Sequence, residues 1–219
     1  MTIRRTAAGL ALVALAAGAQ ANTVLSESFD NVASLPASGW AQVNLSAAPV
    51  GQPWFQGNAG IFTAASGAPN SYIAASFLST GSTTGAISNW LMTPVIALDN
   101  TSVLSFLFRA AGDGYLDKVE VRLSTAGAST SVADFSTLVG SFQASTDTGW
   151  VGLSYTLGSV AAPTTGRLAF RYVVDSVATA GNYMGIDNVV VTSAIPEPGT
   201  WLLMGLGVAG LLLRRRVTA

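Results

Sequence analysis

The chain has 219 residues, of which 50% are hydrophobic and only 10% charged, with a formal net charge of −1. It contains no Cys and no His, which excludes disulfides, thiolate nucleophiles and Cys-based zinc sites and removes the commonest general base and transition-metal ligand. Residues 22–194 hold ten acidic and five basic residues, a formal charge of −5, so the basic footprint of a nucleic-acid binder is absent and no nucleic acid is expected as a partner.

The N-terminus sets Arg4 and Arg5 ahead of residues 7–19, which are Ala, Gly, Leu and Val only. Ala19 and Ala21 then bracket Gln20. A positive start, an apolar centre and small residues two apart make a secretory signal peptide over residues 1–21, cut after Ala21 by the secretion machinery. The alternative, a buried N-terminal helix, lacks a polar face.

Period-two alternation, the mark of half-buried strands, runs through Lys118–Leu123, Trp150–Leu157 and Gly166–Val174. Further strand candidates, in chain order, are Val24–Phe29, Ser71–Phe77, Asn89–Met92, Ser102–Arg109, Thr137–Gln143 and Tyr183–Thr192. Clusters of Gly, Ser, Thr, Asn and Pro separate them. No helical period and no internal repeat interrupts the series. The expectation is an all-β, single-domain antiparallel sandwich or jelly roll over residues 22–194.

The C-terminus changes character. Pro196-Glu197-Pro198 ends strand formation and presents an acid on a stiff, extended segment. Residues 200–213 then carry no charge, and Arg214, Arg215 and Arg216 close the run. As a helix this segment rises about 21 Å, short of a hydrocarbon core of about 30 Å. A short transmembrane helix at about 200–213 is expected, with snorkelling arginines held on the cytoplasmic side. The three parts, in order over residues 195–219, closely resemble the PEP-CTERM sorting signal of Gram-negative bacteria. That resemblance implies recognition and removal of the tail by an exosortase-type membrane enzyme. It also implies a transient stay in the inner membrane, then delivery to the cell surface or extracellular matrix. The alternative is an ordinary C-terminal membrane anchor.

The middle carries a second resemblance. Glu27-Ser-Phe-Asp30 precedes Gly39-Trp40, then Asn89-Trp-Leu-Met-Thr-Pro94, Leu104-Ser-Phe106, Asp117-Lys-Val-Glu-Val-Arg-Leu-Ser124, Trp150 and Gly185-Ile-Asp-Asn-Val-Val-Val191. This order resembles the choice-of-anchor J type of domain, related to cleaved-adhesin and MAM-like modules. The resemblance implies a concanavalin-like jelly-roll β-sandwich with an adhesive or binding role at the cell surface.

Candidate sites are few. Glu27, Asp30 and Asp187 come together if the first and last strands pair, and with no His or Cys the fitting ion is calcium, held structurally. The alternative is that Asp30 caps a turn and Asp187 accepts hydrogen bonds from loop amides. Asp113-Gly-Tyr-Leu-Asp117 reads as a turn into the next strand, or as a loop touching a cation or sugar. Trp54 and Phe55 are the aromatic pair expected to be exposed for ligand contact, the alternative being the core. Arg109, Arg122, Arg167 and Arg171 are expected to form surface ion pairs. Nothing marks a catalytic pair. The expected function is therefore non-enzymatic binding of exopolysaccharide or other extracellular matter. The alternatives are a glycan-active hydrolase, using Asp113 with Asp117 or Asp175 with Asp187, and a purely structural biofilm-matrix protein.

Overall fold

Alternation is most regular in Val103–Ala110, where Leu104, Phe106, Phe108 and Ala110 are buried and the residues between them are half-buried. One face of this strand meets the core and the other looks outward, as a two-layer sandwich requires. A computed structural model of the chain describes residues 22–147, 149–160, 163–193 and 207. Residues 22–193 form one compact unit.

Twelve strands build it: β1 (Asn22–Glu27), β2 (Ala41–Asn44), β3 (Phe55–Gln56), β4 (Ile73–Ser76), β5 (Ile87–Met92), β6 (Ile96–Leu98), β7 (Val103–Ala110), β8 (Asp117–Ser124), β9 (Thr137–Ala144), β10 (Val151–Thr156), β11 (Thr164–Val174) and β12 (Tyr183–Ser193). The first sheet runs β10-β7-β12-β4-β3, with β1 following β4 along the same side of β12. The second runs β2-β5-β11-β8-β9, with β6 preceding β5 along β11. All these pairings are antiparallel. The two inner faces meet in one core, where Phe106 of the first sheet sets its ring edge-on to Phe170 of the second at 5.0 Å.

Each expected strand is present. The chain adds β2, β3 and β6, which are too short to show a period, and a 3₁₀ helix at Val32–Ser38. Asn31 caps this helix by accepting from the Ala33 N–H, and Gly39, at φ 85°, ends it. Leu35 and Val32 fold back into the core.

Both outer faces are partly roofed. Residues 57–71 lie over the first sheet, where Phe62 packs on Tyr72 and Tyr183. Residues 125–136 bring Phe135 onto Trp90, outside the second sheet.

No helix among the described residues is long and apolar enough to cross a membrane. The expected helix at 200–213 falls outside the described residues except for Gly207, as do the signal peptide with Ala19 and Ala21 and the tail residues Pro196, Glu197, Pro198, Arg214, Arg215 and Arg216.

Candidate functional site

The site starts from an irregularity in β12. Its pairing with β7 runs from Met184↔Ala110 to Asp187↔Leu107, then slips by one residue before Val190↔Ser105. The extra residue is a β-bulge, which re-aims side chains. At the bulge Asn188 has φ 50°, the left-handed region that Asn tolerates better than most residues. There Asn188 lines a shallow groove of about 420 Å³ with Ser105, Leu107, Gly152 and Ser154 on the outer face of the first sheet. Its lining is mostly apolar, with the hydroxyls of Ser105 and Ser154 standing on neighbouring strands in register.

Asp187, next to Asn188 in the chain, holds residues 65 and 66. It is fully buried. Its Oδ2 accepts from the Ala65 N–H at 3.0 Å and the Ser66 N–H at 3.4 Å, and its Oδ1 from the Asn188 N–H at 2.7 Å. Burial pushes its pKa up, the three amides pull it back, and the nearby charge of Asp30 adds to the rise. Ser66 Oγ donates to Asn188 Oδ1 at 3.0 Å, fixing the side chain that faces the groove.

The packing beneath residues 57–71 is aromatic. Tyr72 is fully buried, its ring stacked on Phe62 at 5.0 Å and edge-on to Trp150 at 5.5 Å. Its hydroxyl lies 2.9 Å from that of Tyr183, which accepts from the Asn58 N–H. The Arg109 guanidinium sits 4.7 Å above the Phe62 ring and grips Asp147 through Nε and Nη2 at 2.9 and 2.7 Å. This arrangement immobilises residues 57–71. The groove itself offers an amide, two hydroxyls and an apolar floor, which suits hydrogen bonding to a polyhydroxylated ligand.

The sequence-derived candidates distribute unevenly. Strands β1 and β12 do pair, with Glu27 opposite Val189. Glu27 Oε1, however, accepts from the Phe29 N–H. Asp30 lies close to Gly67 and takes a bond from Ser28 Oγ at 3.4 Å. Asp187 meets loop amides, and no group of three or more acidic side chains gathers as a metal site among the described residues. Trp54 is not exposed: at 2% exposure it belongs to the core, because the chain turns inward beside the 3₁₀ helix. Phe55 is half-buried, edge-on to Tyr183 at 5.9 Å. Asp113 is exposed in the turn, but Asp117 is fully buried at the start of β8. Arg109, Arg122 and Arg171 form the expected ion pairs. Arg167 is the correction: it is buried and donates instead to the Gly39 and Thr93 carbonyls at 2.9 and 2.6 Å. Sequence reading missed Ser105 and Ser154, which look like ordinary outward residues of alternating strands.

These features define the class, a two-sheet antiparallel β-sandwich joined to a sorting tail. Residues 194–216 match the PEP-CTERM protein-sorting motif. The sandwich is similar to the K3 cleaved adhesin domain of Lys-gingipain from Porphyromonas gingivalis W83, with a TM-score of 0.56 and 20% identity over 80% of this chain and 99% of that one. The K1 domain of the same protein gives 0.56 and 22% over 78% and 99%. The K2 domain of Lys-gingipain gives 0.54 and 20% over 76% and 98%. At this identity the likeness is one of fold. No curated protein sequence matches the chain.

Proposed function

We propose that this chain is an exported, surface-sorted protein whose sandwich binds extracellular polysaccharide without acting on it. An exosortase-type enzyme recognises and removes the tail after a transient stay in the inner membrane. The observation that carries the binding part is the groove on the first sheet. There a left-handed Asn188 sits among Ser105, Ser154 and Gly152. The sorting part rests on the tail motif.

The non-catalytic reading has support from the carboxylates. Glycoside hydrolysis needs two of them facing one cleft about 5–9.5 Å apart. Asp117 is shut inside against Tyr172, and both oxygens of Asp187 are tied to amides. A structural calcium ion at Asp30 and Asp187 belongs to the same reading, both carboxylates lying against residues 65–67, Asp30 beside Gly67 and Asp187 on the Ala65 and Ser66 amides.

The test is a polysaccharide panel applied to the wild-type chain and to Asn188→Gly. Glycine accepts the left-handed backbone without strain, so the variant keeps its unfolding midpoint and loses the amide. Neutral-polymer binding falls about tenfold. Equal binding by both proteins would remove the groove from the argument.

A further inference from the structure

We propose that the outer face of the second sheet is a docking surface for a polysaccharide that carries carboxylate groups. The class of polymer rests on the reading above; the charge requirement comes from this face alone.

Four of the five basic residues in 22–193 arise from two neighbouring strands, Lys118 and Arg122 on β8 and Arg167 and Arg171 on β11. The inward residues of those strands are Val119, Val121, Leu168 and Phe170, so the cations point to the opposite, outer side. Arg167 is consumed by carbonyls. The other three converge on one acid. Lys118 Nζ lies 3.4 Å from Glu120 Oε1, while Arg122 Nε and Arg171 Nη1 lie 2.8 and 3.3 Å from Oε2. Glu120 is 10% exposed, whereas the side chains of Lys118, Arg122 and Arg171 are 38%, 22% and 25% exposed. One sunken carboxylate thus faces three more accessible cations and leaves a local excess of positive charge, on a unit whose total is negative.

The cluster is built, not loose. Register sets Arg171 directly opposite Glu120. The Arg171 guanidinium lies 5.2 Å over the Trp90 ring, and its Nε donates to Ser88 Oγ at 3.0 Å, the same oxygen that Trp90 Nε1 reaches at 3.0 Å. Glu120 organises the arginines, and burial opposes the ion pairs that hold its pKa below the ordinary carboxylate value. Arg122 uses only Nε on Glu120, and its terminal nitrogens make no hydrogen bond among the described residues.

The row from Lys118 to Arg122 spans about 13 Å, room for more than one anionic group. On β9, the edge strand, exposed Ser141 pairs with Glu120 and exposed Gln143 with Lys118, which extends the face with a hydroxyl and an amide suited to sugar hydroxyls. The acid on the loop beside Phe135, Asp134, is taken up by Ser129. Cations around a fixed acid, edged by neutral donors, complement a carboxylated glycan better than a neutral one.

The test uses the full chain in nonionic detergent with polygalacturonate, its fully methyl-esterified form and double-stranded DNA. Polygalacturonate binds, and its affinity drops about tenfold between about 50 and 300 mM NaCl. The esterified polymer and DNA bind weakly. Arg122→Gln and Arg171→Gln each weaken polygalacturonate binding about fivefold, while Glu120→Gln strengthens it about threefold. Lys118→Gln, at the most exposed cation, provides a loss-of-charge variant that leaves the Trp90 packing untouched. Opposite signs for the acid and the cations are the signature, because a merely structural cluster would lose function with either. Equal binding of the esterified polymer, tighter binding of DNA, or weakening by Glu120→Gln in a folded protein would overturn the proposal. Failure of polygalacturonate alone sinks this face; failure of every polymer, neutral ones included, sinks the polysaccharide reading itself.

Discussion

The Tyr172 hydroxyl donates to Asp117 Oδ1 across 2.6 Å, and both side chains are fully excluded from solvent. The Asn182 N–H donates to the same oxygen at 2.8 Å, while Oδ2 has no partner among the described residues. Burial lifts the Asp117 pKa above its ordinary 3.8, and the donors pull it only part of the way back. A carboxyl with a raised folded pKa holds its proton more tightly when folded, so its contribution to stability is greatest at low pH and is lost as pH climbs through the folded value. The wild type therefore loses stability relative to Asp117→Asn as pH rises from that ordinary value. Urea unfolding of both proteins across a pH series measures the difference, and a flat difference would show that no proton is held there.

Gly185 supports the roof over the first sheet. A Cβ placed on it would lie 2.8 Å from Tyr72 Cδ2 and 3.0 Å from Phe62 Cε2. Gly185→Ala is expected to cost about 1–3 kcal/mol by overpacking. The strain falls on the rings that hold residues 57–71, so Trp150, edge-on to both, reports it. Denaturant midpoint and Trp emission measured together check this. An unaltered midpoint would mean that the Tyr72 ring moves aside freely.

The sandwich was legible because its long strands alternate without interruption, as in Val103–Ala110 and Val151–Thr156. Strand β3, of two residues, has no period to read. The bulge was not legible: three consecutive valines follow Asn188, and only burial shows the inward positions of β12 shifting from Met184 and Ile186 to Val189 and Val191. Trp54 misled because its neighbours Gly51, Gln52 and Pro53 look like exposed loop, yet the 3₁₀ helix beside it draws the ring into the core. Arg167 misled because charge in an alternating strand suggests solvent, and only the three-dimensional approach of two carbonyls tells otherwise. The pairing of β1 with β12 was foreseeable; the amides that meet Asp187 come from residues 65 and 66, far away in sequence.

Calcium at Asp30 and Asp187 predicts a mass-action response. A ligand that binds the folded state raises its stability with concentration. About 1 mM calcium should raise the unfolding midpoint and a chelator should lower it, with the response gone in Asp30→Asn. Magnesium, which demands a tighter octahedral shell, should do less. A midpoint indifferent to calcium would leave the loop amides as the sole partners of the Asp187 charge.

The tail poses the sharpest test of fate. Residues 194–216 match a sorting motif, and the uncharged segment within it spans only about 21 Å if helical. A segment that short holds a protein in a bilayer of about 30 Å only with thinning or snorkelling, which suits a temporary stop better than a lasting anchor. In the proposed route, three consecutive arginines resist translocation and keep the far end inside. In the proposed processing, Pro196 and Pro198 disfavour helix and sheet pairing around Glu197, the acid the enzyme would read. Mass spectrometry of the surface form should find Trp201–Arg216 missing. Replacing Pro196 and Pro198 with Ala should let the tail persist and shift the protein to the inner-membrane fraction. A surface form that still ends at Ala219 would make the segment a plain anchor and leave the motif without a processing role.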